Sequence, residues 1–170
     1  DKGLPADFSL FEIGSSAGIN LMMRRYRFDL GGVTVGPATS GMQLKPEWRG
    51  APPPDAHFDI VGSKGCDLAP VDLTDPDQAL RLKAYIWPEF TTRFMRMDAA
   101  IEAANRFPPE IARQRGGEFV ADMLSGEMQP GVTRALVHSV VWQYVPQDER
   151  ERIEVEMVEA GASATEEAPL

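Results

Sequence analysis

Short apolar runs alternate with amphipathic segments along the chain. Residues 8–13 form an apolar run that ends at a glycine, and residues 135–142 form a longer one, so both predict buried strands. Residues 58–68 predict a further strand with an acidic residue near its end, and the weaker run at 118–121 predicts another. Strands separated by helical segments predict a mainly parallel sheet with helices on both faces.

The helical segments follow a different pattern. Residues 15–25 begin with small residues and predict the first helix. Asp75-Pro76 supplies an N-cap side chain followed by proline at the first helical position. Apolar residues at three- and four-residue spacing over 90–104 predict one packed helical face, after a break near Trp87-Pro88. Pro146 and Asp148 open a last, acidic helix.

A hairpin is predicted between the first helix and the second core strand. Residues 26–30 alternate apolar and polar, Gly31-Gly32 follows, and residues 33–35 are β-branched. Residues 36–57 are rich in glycine, proline and serine, which indicates a loop. Residues 26–57 therefore read as a hairpin and loop inserted after the first helix.

Composition narrows the class of protein. The chain has 170 residues, 43% hydrophobic and 25% charged, which is ordinary for a globular domain and excludes a disordered tail, a collagen or a coiled coil. No apolar run approaches the ~20 residues that span a bilayer, so no membrane partner is expected. A single cysteine, Cys66, cannot form an internal disulfide, which favours a reducing, cytoplasmic setting.

The net charge of -9 is unevenly distributed. Residues 147–170 carry 8 of the 26 acidic side chains and only 2 of the 17 basic ones, so the remainder of the chain is nearly balanced. This excess of negative charge disfavours nucleic acid as a partner through bulk electrostatics.

The strand-to-helix junction at residues 12–18, Glu-Ile-Gly-Ser-Ser-Ala-Gly, carries the clearest candidate chemistry. Small residues there let a ligand approach the backbone, and a helix N-terminus offers unpaired N–H groups. The run matches the Glu/Asp-x-Gly-x-Gly-x-Gly loop of class I methyltransferases, with Ser16 in place of the middle glycine. Asp67, near the end of the next predicted strand, is placed to accept hydrogen bonds from ribose hydroxyls. An NAD-type Gly-x-Gly-x-x-Gly fingerprint fails, since positions 16 and 19 are Ser and Ile.

Two other interpretations of this junction remain open. Residues 14–18 also match the Gly-x-Ser-x-Gly nucleophile elbow, with Ser16, then Asp67 or Asp122, then His138 in triad order. An elbow normally follows earlier strands that supply an oxyanion loop, and no His-Gly-Gly-Gly segment is present. The simplest alternative is a tight turn that binds nothing.

The order of motifs along the chain resembles an uncharacterised bacterial family, domain of unknown function 2332. The residues that carry the resemblance are 12–21, 46–50, 65–72, 85–89 and 138–146. The family looks like a divergent class I methyltransferase, which implies an α/β fold: a Rossmann-like three-layer α/β/α sandwich, apparently incomplete here. Its members are longer, so residues 1–170 are expected to be one cofactor-binding core from the centre of a longer protein, ending in the acidic helix and tail at 147–170.

The resemblance implies S-adenosyl-L-methionine as the cofactor and assigns roles to individual residues. The turn would face the methionine and ribose parts, Asp67 the ribose hydroxyls, and Glu118 or Asp122 the adenine edge. His138 and Tyr144 are the catalytic candidates, with His138 the first choice for a base. The expected cofactor-binding residues are Glu12, Gly14, Ser15, Ser16, Gly18, Asn20, Asp67, Leu68, Glu118, Asp122, His138 and Ser139. No metal site is expected, because two histidines and one cysteine make no zinc motif.

The sequence thus predicts a methyltransferase that acts on a small-molecule or unknown methyl acceptor. The alternatives are a serine hydrolase that uses Ser16 and a nucleoside-binding protein without catalysis. A homo-oligomer is a further expectation, because the few predicted strands would leave an edge of the central sheet exposed.

Overall fold

The computed structural model describes residues 3–54 and 56–170, and the chain divides into two compact units. The first contains residues 3–21, Phe58–Pro70 and Glu110–Leu170, and the second Met22–His57 and Val71–Pro109. The strands are β1 (Asp7–Ile13), β2 (Arg27–Leu30), β3 (Val33–Val35), β4 (Gln43–Leu44), β5 (Asp59–Asp67), β6 (Ile111–Arg113) and β7 (Val132–His138). The α-helices are α1 (Pro76–Lys83), α2 (Thr91–Arg106), α3 (Gly116–Ser125) and α4 (Gln147–Ser163), and 3-10 helices span Asn20–Arg25 and Val141–Tyr144.

A four-stranded sheet in the order β6-β5-β1-β7 forms the centre of the first unit. All three of its pairings are parallel. Parallel strands need crossover connections, and α3 lies in the connection from β6 at one edge of the sheet to β7 at the other. The prediction of a mixed α/β fold with a parallel central sheet is therefore confirmed.

Helices α3 and α4 pack on one face of this sheet. Because successive strand residues point to opposite faces, Phe11 and Ile13 share the face that contacts α3. Each large apolar side chain buried there stabilises the fold by about 1.5–3 kcal/mol. The buried cluster consists of Ile13, Cys66, Phe119, Val120, Met123 and Ile153.

The C-terminal tail lies beside the outer edge of β7. The Gly131 N–H donates to the Glu167 carbonyl at 2.6 Å, and the Arg134 N–H donates to the Pro169 carbonyl at 3.0 Å. Ala168 between these acceptors is buried. The tail thus satisfies backbone groups that would otherwise be left open along this edge.

The second unit contains the hairpin and two helices. Strands β2 and β3 pair antiparallel across Gly31-Gly32, as predicted, and β4 adds a short parallel strand to β2. The Asp75 side chain accepts hydrogen bonds from the N–H groups of Asp77 and Gln78 at the start of α1, which confirms the predicted cap. The break near Trp87-Pro88 is also confirmed, since it separates α1 from α2.

Two predicted elements are wrong. Residues 15–25 form turns and a 3-10 helix over Asn20–Arg25 rather than one regular helix, because Ser16 and Gly18 have positive φ angles that an α-helix does not allow. Residues 118–121 belong to α3 and not to a strand. The third core strand is β6, which precedes α3 in the chain. The apolar residues Phe119, Val120 and Met123 have helical spacing, which was mistaken for the pattern of a strand.

The strand predicted over residues 135–142 ends early. β7 finishes at His138, and Val140 has a φ of 67°, a conformation that a β-branched residue rarely adopts. A 3-10 helix over Val141–Tyr144 follows. The last apolar residues of the run therefore belong to a loop at the end of the sheet, where they help to form the candidate site.

Candidate functional site

The carboxyl ends of the four parallel strands meet at one edge of the sheet. Ile13 pairs in register with Cys66 on one side and with His138 on the other, and Asp67 pairs with Arg113. The segments that follow these strands therefore lie next to one another. In parallel α/β sheets this edge is where ligands bind.

The glycine turn after β1 is held in an unusual backbone conformation. Gly14, Ser16 and Gly18 have φ angles of 69°, 52° and 66°. Ser16 is exposed and carries a side chain in a region that glycine prefers, which costs of order 1 kcal/mol or more. Strain of this kind persists only where surrounding contacts hold it, and it clusters at functional sites.

Asp67 supplies one of these contacts. Its Oδ2 accepts a hydrogen bond from the Ser16 N–H at 2.8 Å, and its Oδ1 accepts one from the Ala69 N–H at 2.9 Å. The Ser15 N–H donates to the Cys66 carbonyl at 2.9 Å and fastens the turn to the same strand. A carboxylate has about four lone-pair sites, so Asp67 keeps capacity for further donors.

Glu12 supports the turn from inside the protein. It is 1% exposed, and its Oε1 accepts a hydrogen bond from Asn20 Nδ2 at 2.7 Å. Its Oε2 is buried without a hydrogen-bond partner among the described residues. Burial raises the pKa of Glu12, while the hydrogen bond from Asn20 acts in the opposite direction. The hydrogen bond between Asn20 and Glu12 therefore joins the residues on either side of the turn, and Glu12 is shielded from solvent.

A cavity of about 260 Å³ opens at this edge of the first unit. It brings together residues that follow all four strands, together with the N-terminal ends of α3 and α4. Four predicted site residues line it, namely Gly14, Asp67, Leu68 and Tyr144, and so do Ile13, Cys66, Gln114, Arg115, Gly116, Val141, Val145, Pro146 and Glu149.

The loop after β7 packs against the glycine turn at Gly14. A Cβ atom built on Gly14 would lie 2.5 Å from the Cβ of Val141, so only glycine fits there. Val140, the residue before Val141, is the second non-glycine residue with positive φ in the described chain, after Ser16. Both strained residues thus lie at the carboxyl edge, where strand order reverses between β1 and β7.

Of the two catalytic candidates, His138 is the last residue of β7 and Tyr144 is the last residue of the 3-10 helix that follows it. The His138 ring stacks on Trp142 with centroids 5.0 Å apart and an interplanar angle of 18°. His138 and Ser139 are exposed, and the Ser139 carbonyl accepts a hydrogen bond from the Val141 N–H at 2.8 Å. Tyr144 is 75% exposed at the rim of the cavity. These three residues lie near the turn, although only Tyr144 lines the cavity within the described chain.

The two candidates for the adenine contact lie elsewhere on α3. Asp122 accepts a hydrogen bond from Gln114 Nε2 at 2.7 Å and lines a separate cavity of about 420 Å³. Glu118 lines a third, smaller depression beside Arg152. The position that follows the third core strand at the carboxyl edge is Gln114, which lines the 260 Å³ cavity.

Gln114, Arg115 and Glu149 line the cavity and were not predicted from the sequence. Glu149 has a 12% exposed side chain, accepts a hydrogen bond from the Gly117 N–H at 2.9 Å and lies 3.6 Å from Arg115 Nη1. Correct placement of β6 would have pointed to Gln114, because it comes directly after that strand. No sequence signal marked Glu149, which arrives from α4.

Two features are absent from the described ranges. Residues 3–54 and 56–170 contain no group of three or more histidine, cysteine or acidic side chains arranged to hold a metal ion. Within the same ranges, every helix falls short of the length and apolar character needed to cross a membrane.

Comparison with known proteins places the chain in a family. No curated protein and no solved structure gives a significant match. One family model does match, and it covers residues 1–170. Its description is an uncharacterized protein conserved in bacteria, which agrees with the resemblance in the ordered motifs. The chain belongs to this family, DUF2332.

Proposed function

We propose that the chain binds S-adenosyl-L-methionine at the carboxyl edge of its parallel sheet and acts as a methyltransferase on an unknown acceptor. One observation carries the proposal. The turn after β1 is joined to the acidic residue at the end of β5 by the 2.8 Å hydrogen bond from the Ser16 N–H to Asp67. A glycine turn beside an acidic residue on the neighbouring strand is an arrangement suited to a nucleoside with free ribose hydroxyls.

The strand order supports the same proposal. Numbered along the chain, the core strands lie in the order third, second, first, fourth. The classic doubly wound nucleotide-binding sheet begins with the order 3-2-1-4, and its ligand crosses the point where the order reverses. In this chain the reversal lies at β1, whose following turn is the strained one.

The residues at the cavity fit the cofactor in kind. Asp67 retains acceptor capacity for hydroxyl donors, and Gly14 and Leu68 line the cavity beside it. Gln114 donates one N–H to Asp122, and its second N–H and its carbonyl oxygen would offer a donor and an acceptor to an adenine edge. The volume of 260 Å³ is just below the roughly 300 Å³ at which ligand pockets usually begin, so the cavity suits part of the cofactor.

The main contribution of the chain would be to hold the cofactor in the orientation that transfer to the acceptor requires. The bound cofactor would supply the activated methyl group on its sulfonium. Asp67 and the turn would fix the nucleoside, which converts an encounter in solution into an oriented one. His138, exposed at the end of β7, would accept a proton from the acceptor if the acceptor must lose one.

Calorimetric titration of S-adenosylhomocysteine tests this proposal. We expect the wild type to bind and Asp67→Asn to bind at least about tenfold more weakly, since a charge-assisted hydrogen bond is worth about 1.5–3 kcal/mol. Asp59→Asn is the matched control, because Asp59 is an exposed carboxylate at the opposite end of β5. Absence of binding to the wild type, or equal affinities in wild type and Asp67→Asn, would contradict the proposal.

A serine hydrolase is the second candidate, and the backbone of Ser16 favours it. A nucleophile elbow holds its serine exposed on a strained turn between a strand and a helix, and Ser16 is exposed with a φ of 52°. Against this candidate, the His138 ring is stacked on Trp142 and the turn leads into a 3-10 helix. A fluorophosphonate probe separates the candidates: labelling that disappears in Ser16→Ala but persists in Ser15→Ala indicates a hydrolase.

A further inference from the structure

The cavity at the carboxyl edge of the sheet has exposed apolar side chains around it. Leu68 follows β5, while Val140 and Tyr144 follow β7, and all three side chains are exposed to solvent. Leu68 and Tyr144 line the 260 Å³ cavity, and Val140 directly precedes Val141, which also lines it. Large exposed apolar side chains grouped at a concave site are typical of a surface that binds an apolar ligand.

Val140 keeps its exposed position in spite of backbone strain. The Val141 N–H donates to the Ser139 carbonyl at 2.8 Å, which closes a three-residue turn with Val140 at its centre. The φ and ψ angles of Val140, 67° and -35°, lie in the region of the γ-turn of positive φ, which is rare and strained. Glycine would adopt this turn without that strain. Because the Val140 side chain is 73% exposed, packing within the chain does not explain why a valine occupies this position.

The charges at the cavity disfavour an anionic ligand. Among the described residues that line it, Asp67 and Glu149 are acidic and Arg115 is the one basic residue. Arg115 Nη1 lies 3.6 Å from Glu149 Oε2, so its positive charge is already opposed. A nucleic acid or another anion would therefore meet net negative charge at this place.

We propose that the methyl acceptor is an uncharged, apolar small molecule that carries a hydroxyl group and binds over Val140 and Tyr144. This inference rests on the proposed methyltransferase function and names the substrate class of the same site. The apolar body of the acceptor would cover the two side chains, and its hydroxyl would lie next to His138, which is exposed at the end of β7.

The transfer step balances without a further reactant. The hydroxyl oxygen of the acceptor would form a bond to the methyl carbon as the bond between that carbon and sulfur breaks. The electron pair of the broken bond stays on sulfur, and S-adenosylhomocysteine leaves. The hydroxyl proton would pass to His138 and from there to solvent.

The test uses 2-naphthol as an apolar probe with a hydroxyl group and glycerol as a polar one. The full chain is titrated by calorimetry with S-adenosylhomocysteine and then, with that compound saturating, with each probe. We expect 2-naphthol to saturate below about 2 mM and glycerol not to saturate below about 10 mM. Failure of S-adenosylhomocysteine to bind contradicts the proposed function, and the inference fails with it. The inference alone is overturned if S-adenosylhomocysteine binds but 2-naphthol does not saturate, binds only without it, or binds more weakly than glycerol.

Matched valine variants locate the bound probe. Val140→Thr keeps the branched shape but replaces a methyl group by a hydroxyl, and should weaken 2-naphthol binding at least about threefold. Val158→Thr makes the same change at a valine of α4 that is 72% exposed, and should alter binding less than about 1.5-fold. Val140→Ile, which keeps the apolar surface, should retain the binding of the wild type.

Val140→Gly separates binding from stability. Glycine accommodates the positive φ, so the midpoint of urea unfolding should not fall, while loss of the side chain should weaken 2-naphthol binding at least about fivefold. The affinity for S-adenosylhomocysteine should change less than about twofold. Unchanged 2-naphthol affinity in both Val140→Thr and Val140→Gly overturns the inference. Equal losses of affinity for 2-naphthol and S-adenosylhomocysteine also overturn it, because the turn would then serve the cofactor and not the acceptor.

Discussion

Substituting Gly14 by alanine tests the contact between the glycine turn and the loop after β7. An alanine with a φ of 69° is strained by about 1–2 kcal/mol, and its Cβ would lie 2.5 Å from the Val141 Cβ. Relieving that overlap costs typically 1–3 kcal/mol. Alanine also restricts the unfolded chain, which returns about 0.4–1 kcal/mol. We therefore expect Gly14→Ala to lower the free energy of unfolding by about 2–4 kcal/mol.

Gly131→Ala is the matched control for this substitution. Gly131 has a φ of 80°, and nothing lies within 4 Å of its Cβ position, so only the backbone strain applies. Urea unfolding followed by circular dichroism should give a loss about 1–3 kcal/mol smaller than at Gly14. Gly14→Ala combined with Val141→Ala should recover part of the difference. Equal losses at the two glycines would refute the packing of Val141 against the turn.

Three further predictions concern the rest of the fold. Ile153→Ala should cost about 2–5 kcal/mol in urea unfolding, since Ile153 is 2% exposed, whereas Val155→Ala on the exposed side of α4 should cost less than about 0.5 kcal/mol. Burial raises the pKa of Glu12, so its contribution to stability is present below its unfolded pKa and is lost as pH rises through the folded value. The stability of Glu12→Gln relative to wild type should therefore increase between about pH 4 and pH 7, and a constant difference would contradict it. Asp75→Ala should lower stability by about 1 kcal/mol through loss of the cap on α1, measured by the same urea titration.

The strands with strong local patterns were predictable from the sequence. β1 and β7 contain apolar runs, the start of β5 is marked by Ile60 and Val61, and the hairpin is marked by Gly31-Gly32. β6 was missed because only three residues form it, and its neighbours in α3 have the stronger apolar pattern. Such a short strand is specified mainly by its pairing with β5, which no local pattern reveals.

The candidate site was predictable only in part for the same reason. The turn and Asp67 carry a recognisable motif, and the structure joins them by a hydrogen bond. Gln114 depends on where β6 ends, and Glu149 reaches the cavity because α4 packs on α3. The positive φ of Val140 arises from the end of β7 and could not be read from an apolar run.

The most direct test of the cofactor site is photochemical crosslinking with S-adenosylmethionine labelled in its methyl group. After irradiation and trypsin digestion, the label is located by mass spectrometry, with excess S-adenosylhomocysteine as competitor. We expect competed label in the tryptic peptides 3–24, 65–81 or 135–150, which contain the glycine turn, Asp67 and the end of β7. Absence of competed label, or label confined to residues 82–113, would contradict a cofactor site at the carboxyl edge of the sheet.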